Sequence, residues 1–269
     1  MRSVENVIAQ YEYERAAAQQ LMQANREERR QLYIRVYEEL FRRFPDHSEL
    51  KVDPAVRWQR VKRQVEKVRH LCRSDMVFLE IGAGDCRFAY AIAPYVQQAY
   101  ALEVTGAKLP GEMPPPSNFQ LLLFDGFDFP LPDNSVDFAY TNQVIEHLHP
   151  EDAEYHLREV YRVLRSGGYY LCITPHRFVG PRDISRYFTR EATALHLKEY
   201  TYHELSQLMR QVGFLKRAAL VGKQVVSLTP VLTAERVLSA LPYGLRKSLA
   251  MRIPAFRASL KIIGYKRAD

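Results

Sequence analysis

The chain has 269 residues, 47% of them apolar and 26% charged, with a formal net charge of +7. That is long enough for one large α/β domain with additions or two small domains, and too apolar for disorder. The stretch up to Arg15 is charged throughout, and no window holds about 18 uninterrupted apolar residues, so neither a signal peptide nor a membrane-spanning helix is expected.

In chain order, residues 1–70 read as helices. Arg26 to Phe44 places Leu32, Val36 and Leu40 at helical spacing with Tyr33, Tyr37 and Phe41 beside them, and Pro45-Asp46-His47 stops the run. A second helix is predicted from Pro54 to Cys72 on Val56, Val61, Val65, Val68 and Leu71. Residues 75–175 then alternate strand and helix patterns. Strands are predicted at Met76–Ile81, Ala99–Val104, Phe119–Phe124, Val136–Thr141 and Tyr169–Thr174, with helices at Phe88–Val96 and Asp152–Leu164. Such alternation means βαβ units and a parallel sheet. Residues 176–200 are a polar, aromatic connection too long for a plain loop. Thr201 to Val212 is a helix with a capping box, Thr201 and Glu204, and Gly213 stops it. Two more strands are predicted near Lys216–Val221 and Leu260–Tyr265. The expected fold is thus α/β, a doubly wound and mostly parallel seven-stranded sheet. An N-terminal helical extension (1–72) precedes a domain over 73–269, with an acceptor loop at 176–200 and a basic amphipathic insertion at 230–257.

The chemical signal lies at the ends of the first strands. Glu80-Ile-Gly82-Ala-Gly84-Asp85 follows strand one and precedes a helix, and its glycines let backbone amides come close to a ligand. Glu103 ends strand two, where an acid accepts hydrogen bonds from ribose hydroxyls, and Asp125-Gly126 ends strand three, within reach of an adenine amine. Taken singly, each acid reads more readily as a solvated loop residue or a helix cap. Three at successive strand ends are hard to explain as chance.

On these residues the sequence resembles the class I S-adenosylmethionine-dependent methyltransferases. The resemblance extends to Asp137–Leu148 and to Val163-Leu-Arg-Ser-Gly-Gly168 before strand five, and covers about residues 60–225. It implies a Rossmann-like fold and S-adenosylmethionine as cofactor, with S-adenosylhomocysteine as product. It implies that Glu80, Gly82 and Gly84 line the methionine end, that Glu103 holds the ribose, that Asp125 and Gly126 hold the adenine, and that Asp85 is a further cofactor-binding residue. Asn142 or Gln143 would hold the methionine portion. One departure is Cys86, which stands where the family commonly has a third glycine; a slightly altered turn is expected there.

A hydroxyl acceptor must lose a proton, and a histidine titrates near neutrality. His147 and His176, each just after a strand, are the candidate catalytic bases, with His149 and His196 as weaker ones. Glu146, His147 and His149 are a poor ligand set, and no Cys-x-x-Cys pair exists, so no metal is expected. Arg177, Arg182, Arg186, Tyr187 and His196, in or near the 176–200 loop, are candidates for holding the acceptor.

Residues 231–269 hold eight Lys or Arg and two acidic residues, so the rest of the chain is nearly neutral. One local basic patch argues against a broad nucleic-acid face and leaves peripheral membrane contact open. Cys72, Cys86 and Cys172, odd in number and far apart, suit a reducing cytoplasm. The expectation is O-methylation of a small molecule such as a sugar, polyketide or lipid intermediate. The alternatives are methylation of RNA or protein, and a non-catalytic cofactor-binding protein.

Overall fold

The structure, a computed structural model, describes residues 2–47, 50–104, 109–257 and 259–268. Three helices come first: α1 (Val4–Gln23), α2 (Arg26–Arg43) and α3 (Pro54–Val68). There follow β1 (Val77–Ile81), α4 (Arg87–Ile92), β2 (Gln98–Glu103), β3 (Phe119–Leu123) and β4 (Val136–Asn142). Then come α5 (Pro150–Val163), β5 (Leu164–Thr174), α6 (Tyr202–Gln211), β6 (Lys216–Val221) and β7 (Gln224–Ser227). The chain closes with α7 (Leu228–Ser239), α8 (Tyr243–Ala250) and β8 (Leu260–Tyr265).

Among the described residues the strands form one sheet in the order β3-β2-β1-β4-β5-β8-β6-β7. The pairs from β3 through β5 are parallel, while β8 runs antiparallel to both β5 and β6, and β7 antiparallel to β6. The doubly wound, mostly parallel sheet expected from the sequence is present, with eight strands where seven were predicted. The eighth is β7, four residues returning along the sheet edge after the Gly222 turn.

The central strands are buried on both faces, as continuously apolar parallel strands require. On one face Val65 and Val68 of α3 and Phe88 and Ile92 of α4 pack against Phe78, Phe138 and Leu171. On the other, Leu157 and Val160 of α5 and Leu205 and Met209 of α6 pack on Leu79, Ala139 and Cys172. The extension therefore splits: α3 is part of the sheet's own core, whereas α1 and α2 form a hairpin with a separate apolar centre of Leu21, Leu32, Val36 and Leu40, closed by Leu195. The stripe of the basic stretch turns largely inward. Leu238 is buried, and Leu232, Leu241 and Leu249 pack on the domain core, which leaves Val237 and Leu245 exposed. No helix among the described residues is long and apolar enough to cross a membrane.

Strand order reverses between β1 and β4, and a crevice opens there at the carboxyl ends of the strands, the usual ligand place in such sheets. The α1–α2 hairpin and the 176–200 loop lie over this end. Arg29 of α2 anchors the hairpin: its guanidinium meets the Asp152 carboxylate of α5 at 2.6 and 2.8 Å, and both side chains are buried.

Candidate functional site

A cleft of about 1370 Å³ lies over the carboxyl ends of β1, β2, β3 and β4. Its floor is Ile81, Gly82, Gly84, Glu103, Val104, Asp125, Gly126, Gln143 and Val144. The glycine turn is shaped by sterics. Gly82 has φ +69°, and a Cβ there would come 2.6 Å from Val144 Cγ2. Gly84, at φ +56°, has open space where its Cβ would stand. Cys86 also takes a left-handed backbone, φ 59°, just before α4. That is a region glycine adopts most readily, and the Cys86 side chain is fully buried with Ala83, Ala89 and Tyr90.

Glu103 ties the turn to the tip of β2: one carboxylate oxygen accepts from Gly84 N at 2.8 Å and the other from Val104 N at 2.8 Å. Asp125 sits at the tip of β3 and accepts from the amides of Phe127 and Asp128, each at 2.9 Å, while its other oxygen pairs with Arg30 of α2. Gln143, at the end of β4, has φ 61°, held by its amide donating to Ile173 O at 2.9 Å. Strained non-glycine backbone of this kind gathers at functional sites.

Three of the expected cofactor contacts do not line the cleft. Glu80 is buried beneath the turn, where it accepts from Ala89 N at 2.8 Å; burial raises its pKa well above the usual carboxylate range. Its neighbour Ile81 takes the cleft side, because successive strand side chains alternate in direction. Asp85 pairs with Arg57, at 3.1 Å, and with Arg87. Asn142 is half-buried at the end of β4 and is not among the residues lining the cleft; Gln143 is.

The histidines separate as clearly. His147 lines the cleft, with Nδ1 3.0 Å from Leu195 O and 2.8 Å from the Tyr37 hydroxyl. A carbonyl only accepts, so Nδ1 carries the proton and Nε2 holds the lone pair. Burial, reinforced by His196, pushes its pKa down to about 3. His196 also lines the cleft, 4.8 Å from His147 ring to ring, and its Nδ1 is 2.9 Å from Glu199 Oε1. Burial would lower its pKa, but the bond to Glu199 and the charges of Glu146 and Asp183 outweigh that and raise it. His176 is fully buried away from the cleft. Its Nδ1 accepts from Phe178 N at 3.1 Å and its Nε2 donates to Glu235 at 2.8 Å. With both nitrogens committed it is a strut between the end of β5 and α7, not a base. His149 caps α5 through Nδ1.

Of the expected acceptor residues, Arg182, Arg186 and Tyr187 line the cleft with His196, whereas Arg177 pairs outside it with Glu204 at 2.8 Å. The sequence reading did not single out the cleft wall made by α1 and α2: Val4, Val7, Ile8, Ile34 and Phe41, with the polar pair Gln10 and Glu14 among them. The available signal was Gln10 and Glu14 one turn apart on the same face as Tyr11, Ala18 and Leu21, an unusual place for polar groups. Burial raises the Glu14 pKa to about 7.

Residues 79–172 match the family described as a methyltransferase domain. A probable S-adenosylmethionine-dependent methyltransferase of Mycolicibacterium smegmatis is 33% identical over 156 residues, covering 55% of each chain. A second, from Mycobacterium tuberculosis, is 33% identical over 141 residues, covering 51% of this chain and 48% of that one. The chain thus spans about half the length of the curated relatives it matches. Among solved structures, a Thermotoga maritima S-adenosylmethionine-dependent methyltransferase, titled a possible histamine N-methyltransferase, superposes with a TM-score of 0.53 at 21% identity. That match covers 84% of this chain and 98% of the other. Haemonchus contortus phosphoethanolamine N-methyltransferase 1 gives a TM-score of 0.53 at 14% identity, over 87% of this chain and 50% of that one. These likenesses show the fold. The family match is confined to residues 79–172, which resemble a methyltransferase domain.

Proposed function

We propose that the chain transfers a methyl group from S-adenosylmethionine to a hydroxyl of a small, largely apolar acceptor bound beneath the α1–α2 hairpin. The observation that carries this reading is the composition of the cleft over the strand tips. Its floor is the glycine turn and the acids of the strand tips, and its roof is Val4, Val7, Ile8, Ile34, Phe41 and Phe188. At about 1370 Å³ it exceeds the ~300–1,000 Å³ of a typical one-ligand pocket, so donor and acceptor fit together.

The floor suits the cofactor. Glu103 accepts from ribose hydroxyls, Asp125 and Gly126 border the adenine, and Gly82, Gly84 and Gln143 leave backbone room for the methionine portion. The sulfonium supplies an already activated methyl, so the protein's task is alignment and exclusion of water, for which positioning alone contributes roughly 7–11 kcal/mol. His147 stands on the acceptor side of the cleft, where it helps bind and ionise the hydroxyl, and Arg182, Arg186 and Tyr187 at the rim receive a polar or anionic end of the acceptor. The α1–α2 hairpin and the 176–200 loop act as the acceptor-binding part of the molecule.

Methylation of RNA or protein is the weaker reading, because no residue of the basic stretch 228–257 lines the cleft. A non-catalytic cofactor binder is weaker still, since it leaves the acceptor-sized roof without a purpose. The three free cysteines accord with a reducing compartment, and the inward-turned stripe of α7 and α8 leaves little apolar surface for a membrane.

The test is transfer of labelled methyl from S-adenosylmethionine to organic-soluble small molecules in extract. Wild type is expected to label at least one product. His147→Ala is expected to lower turnover at least 100-fold with unchanged S-adenosylhomocysteine affinity. Label confined to macromolecules, or His147→Ala turning over like wild type, would overturn the reading.

A further inference from the structure

Glu146, His147 and His196 are brought together from two separate segments, with one ligand atom of each within 4.8 Å of the others. The geometry points to a site for a divalent first-row transition cation held by these two histidines and one carboxylate. The inference rests on the methyl-transfer reading above and names how the acceptor hydroxyl is bound and ionised.

Three observations carry it. First, Glu146 is fully buried and half-committed: Oε2 accepts from Thr174 Oγ1 at 2.8 Å, whereas Oε1 has no hydrogen-bond partner. A buried acceptor left unpaired is costly, and a cation satisfies it. Second, both histidines are oriented as ligating imidazoles are. The Nδ1 of His147 faces the Leu195 carbonyl at 3.0 Å and that of His196 faces the Glu199 carboxylate at 2.9 Å, which leaves each Nε2 for a metal. Third, His147 and His196 line the cleft while Glu146 stands behind them, so open coordination positions would face the acceptor. Two imidazoles and a carboxylate with open positions suit Zn²⁺, Fe²⁺, Mn²⁺ or Co²⁺ better than Mg²⁺ or Ca²⁺. Bonds of about 2.1 Å require the ligand atoms to close from within 4.8 Å to roughly 3–3.5 Å of one another.

The chemistry balances simply. The acceptor hydroxyl binds the cation and its proton leaves to solvent. The oxygen lone pair then forms the C–O bond as the S–CH₃ bond breaks, and that electron pair stays on sulfur, giving neutral S-adenosylhomocysteine. The bound cation lowers the hydroxyl's pKa as it would that of water, and fixes the oxygen's position.

The test titrates Co²⁺ into EDTA-stripped protein with S-adenosylhomocysteine present, following visible d–d absorption and heat. Expected are one Co²⁺ per chain with a visible band, at least tenfold weaker binding for His147→Ala and for His196→Ala, and no change for His149→Ala. Glu199→Gln, which changes the group that orients His196 while keeping an oxygen to accept from Arg182 N, is expected to weaken binding by about tenfold, and serves should the Glu146→Gln chain fail to fold. Absence of Co²⁺ uptake by wild type, or equal uptake by all variants, overturns the site. The two readings fail separately. S-adenosylhomocysteine binding and EDTA-insensitive turnover without Co²⁺ uptake would sink the metal site alone. Co²⁺ uptake without S-adenosylhomocysteine binding would sink the methyl-transfer reading on which the site's role rests.

Discussion

At the scale of single residues, the strand tips were readable and the directions of side chains were not. Glu103, Asp125, Gly82 and Gly84 meet at the cleft because strand ends and glycine turns leave a period in the sequence. Glu80 and His176 lie just as close to strand ends yet face away, one beneath a helix and one against Glu235. Only the pleat and the packing of α4 and α7 decide that, and neither is local. His156 is a similar case with a measurable consequence. It is buried beside Phe129 and Tyr170, its Nε2 has no partner, and burial lowers its pKa to about 4. The unfolded chain titrates near 6.5, so between these values it binds more protons than the folded one. Stability is therefore expected to fall as pH drops from about 7 toward 4, by up to ~3 kcal/mol from this group. Urea unfolding across that range should show a shallower decline for His156→Leu than for wild type; parallel declines would remove His156 as the cause.

At the scale of elements, the docking of α2 on α5 depends on a buried ion pair. Arg29 bonds Asp152 twice and Ala24 O once, and the Tyr33 hydroxyl donates to the same Asp152 at 3.0 Å. Removing one member leaves the other charge buried, which costs about 3–5 kcal/mol. Arg29→Met is expected to lose that much in denaturant unfolding and to loosen the hairpin over the cleft. A loss below about 1 kcal/mol would mean that α2 is held otherwise. The long periodic helices and the parallel strands were legible because each buries a continuous apolar face. Two elements were not. The four residues of β7 are too short to show alternation, and they are ordered by pairing with β6. The strand predicted from Tyr169 begins at Leu164, because the Ser166-Gly167-Gly168 break is crossed by a bulge. Gly167 takes φ +77°, and the register shifts between Val136 and Phe138.

At the scale of the whole molecule, a doubly wound sheet carries a separate helical hairpin that walls an apolar space above its strand tips. The hairpin's own core, Leu21, Leu32, Val36 and Leu40, closes on Leu195, the neighbour of His196. The hairpin wall and the His196 segment of the cleft are thereby one packed unit. All of this presumes that the strand tips bind the cofactor, and calorimetric titration with S-adenosylhomocysteine tests that presumption. Wild type is expected to bind one molecule per chain. Glu103→Ala is expected to bind about 10- to 150-fold more weakly, the equivalent of losing a charge-assisted hydrogen bond of ~1.5–3 kcal/mol. No binding by wild type, or equal affinity in the Glu103→Ala chain, would contradict the account.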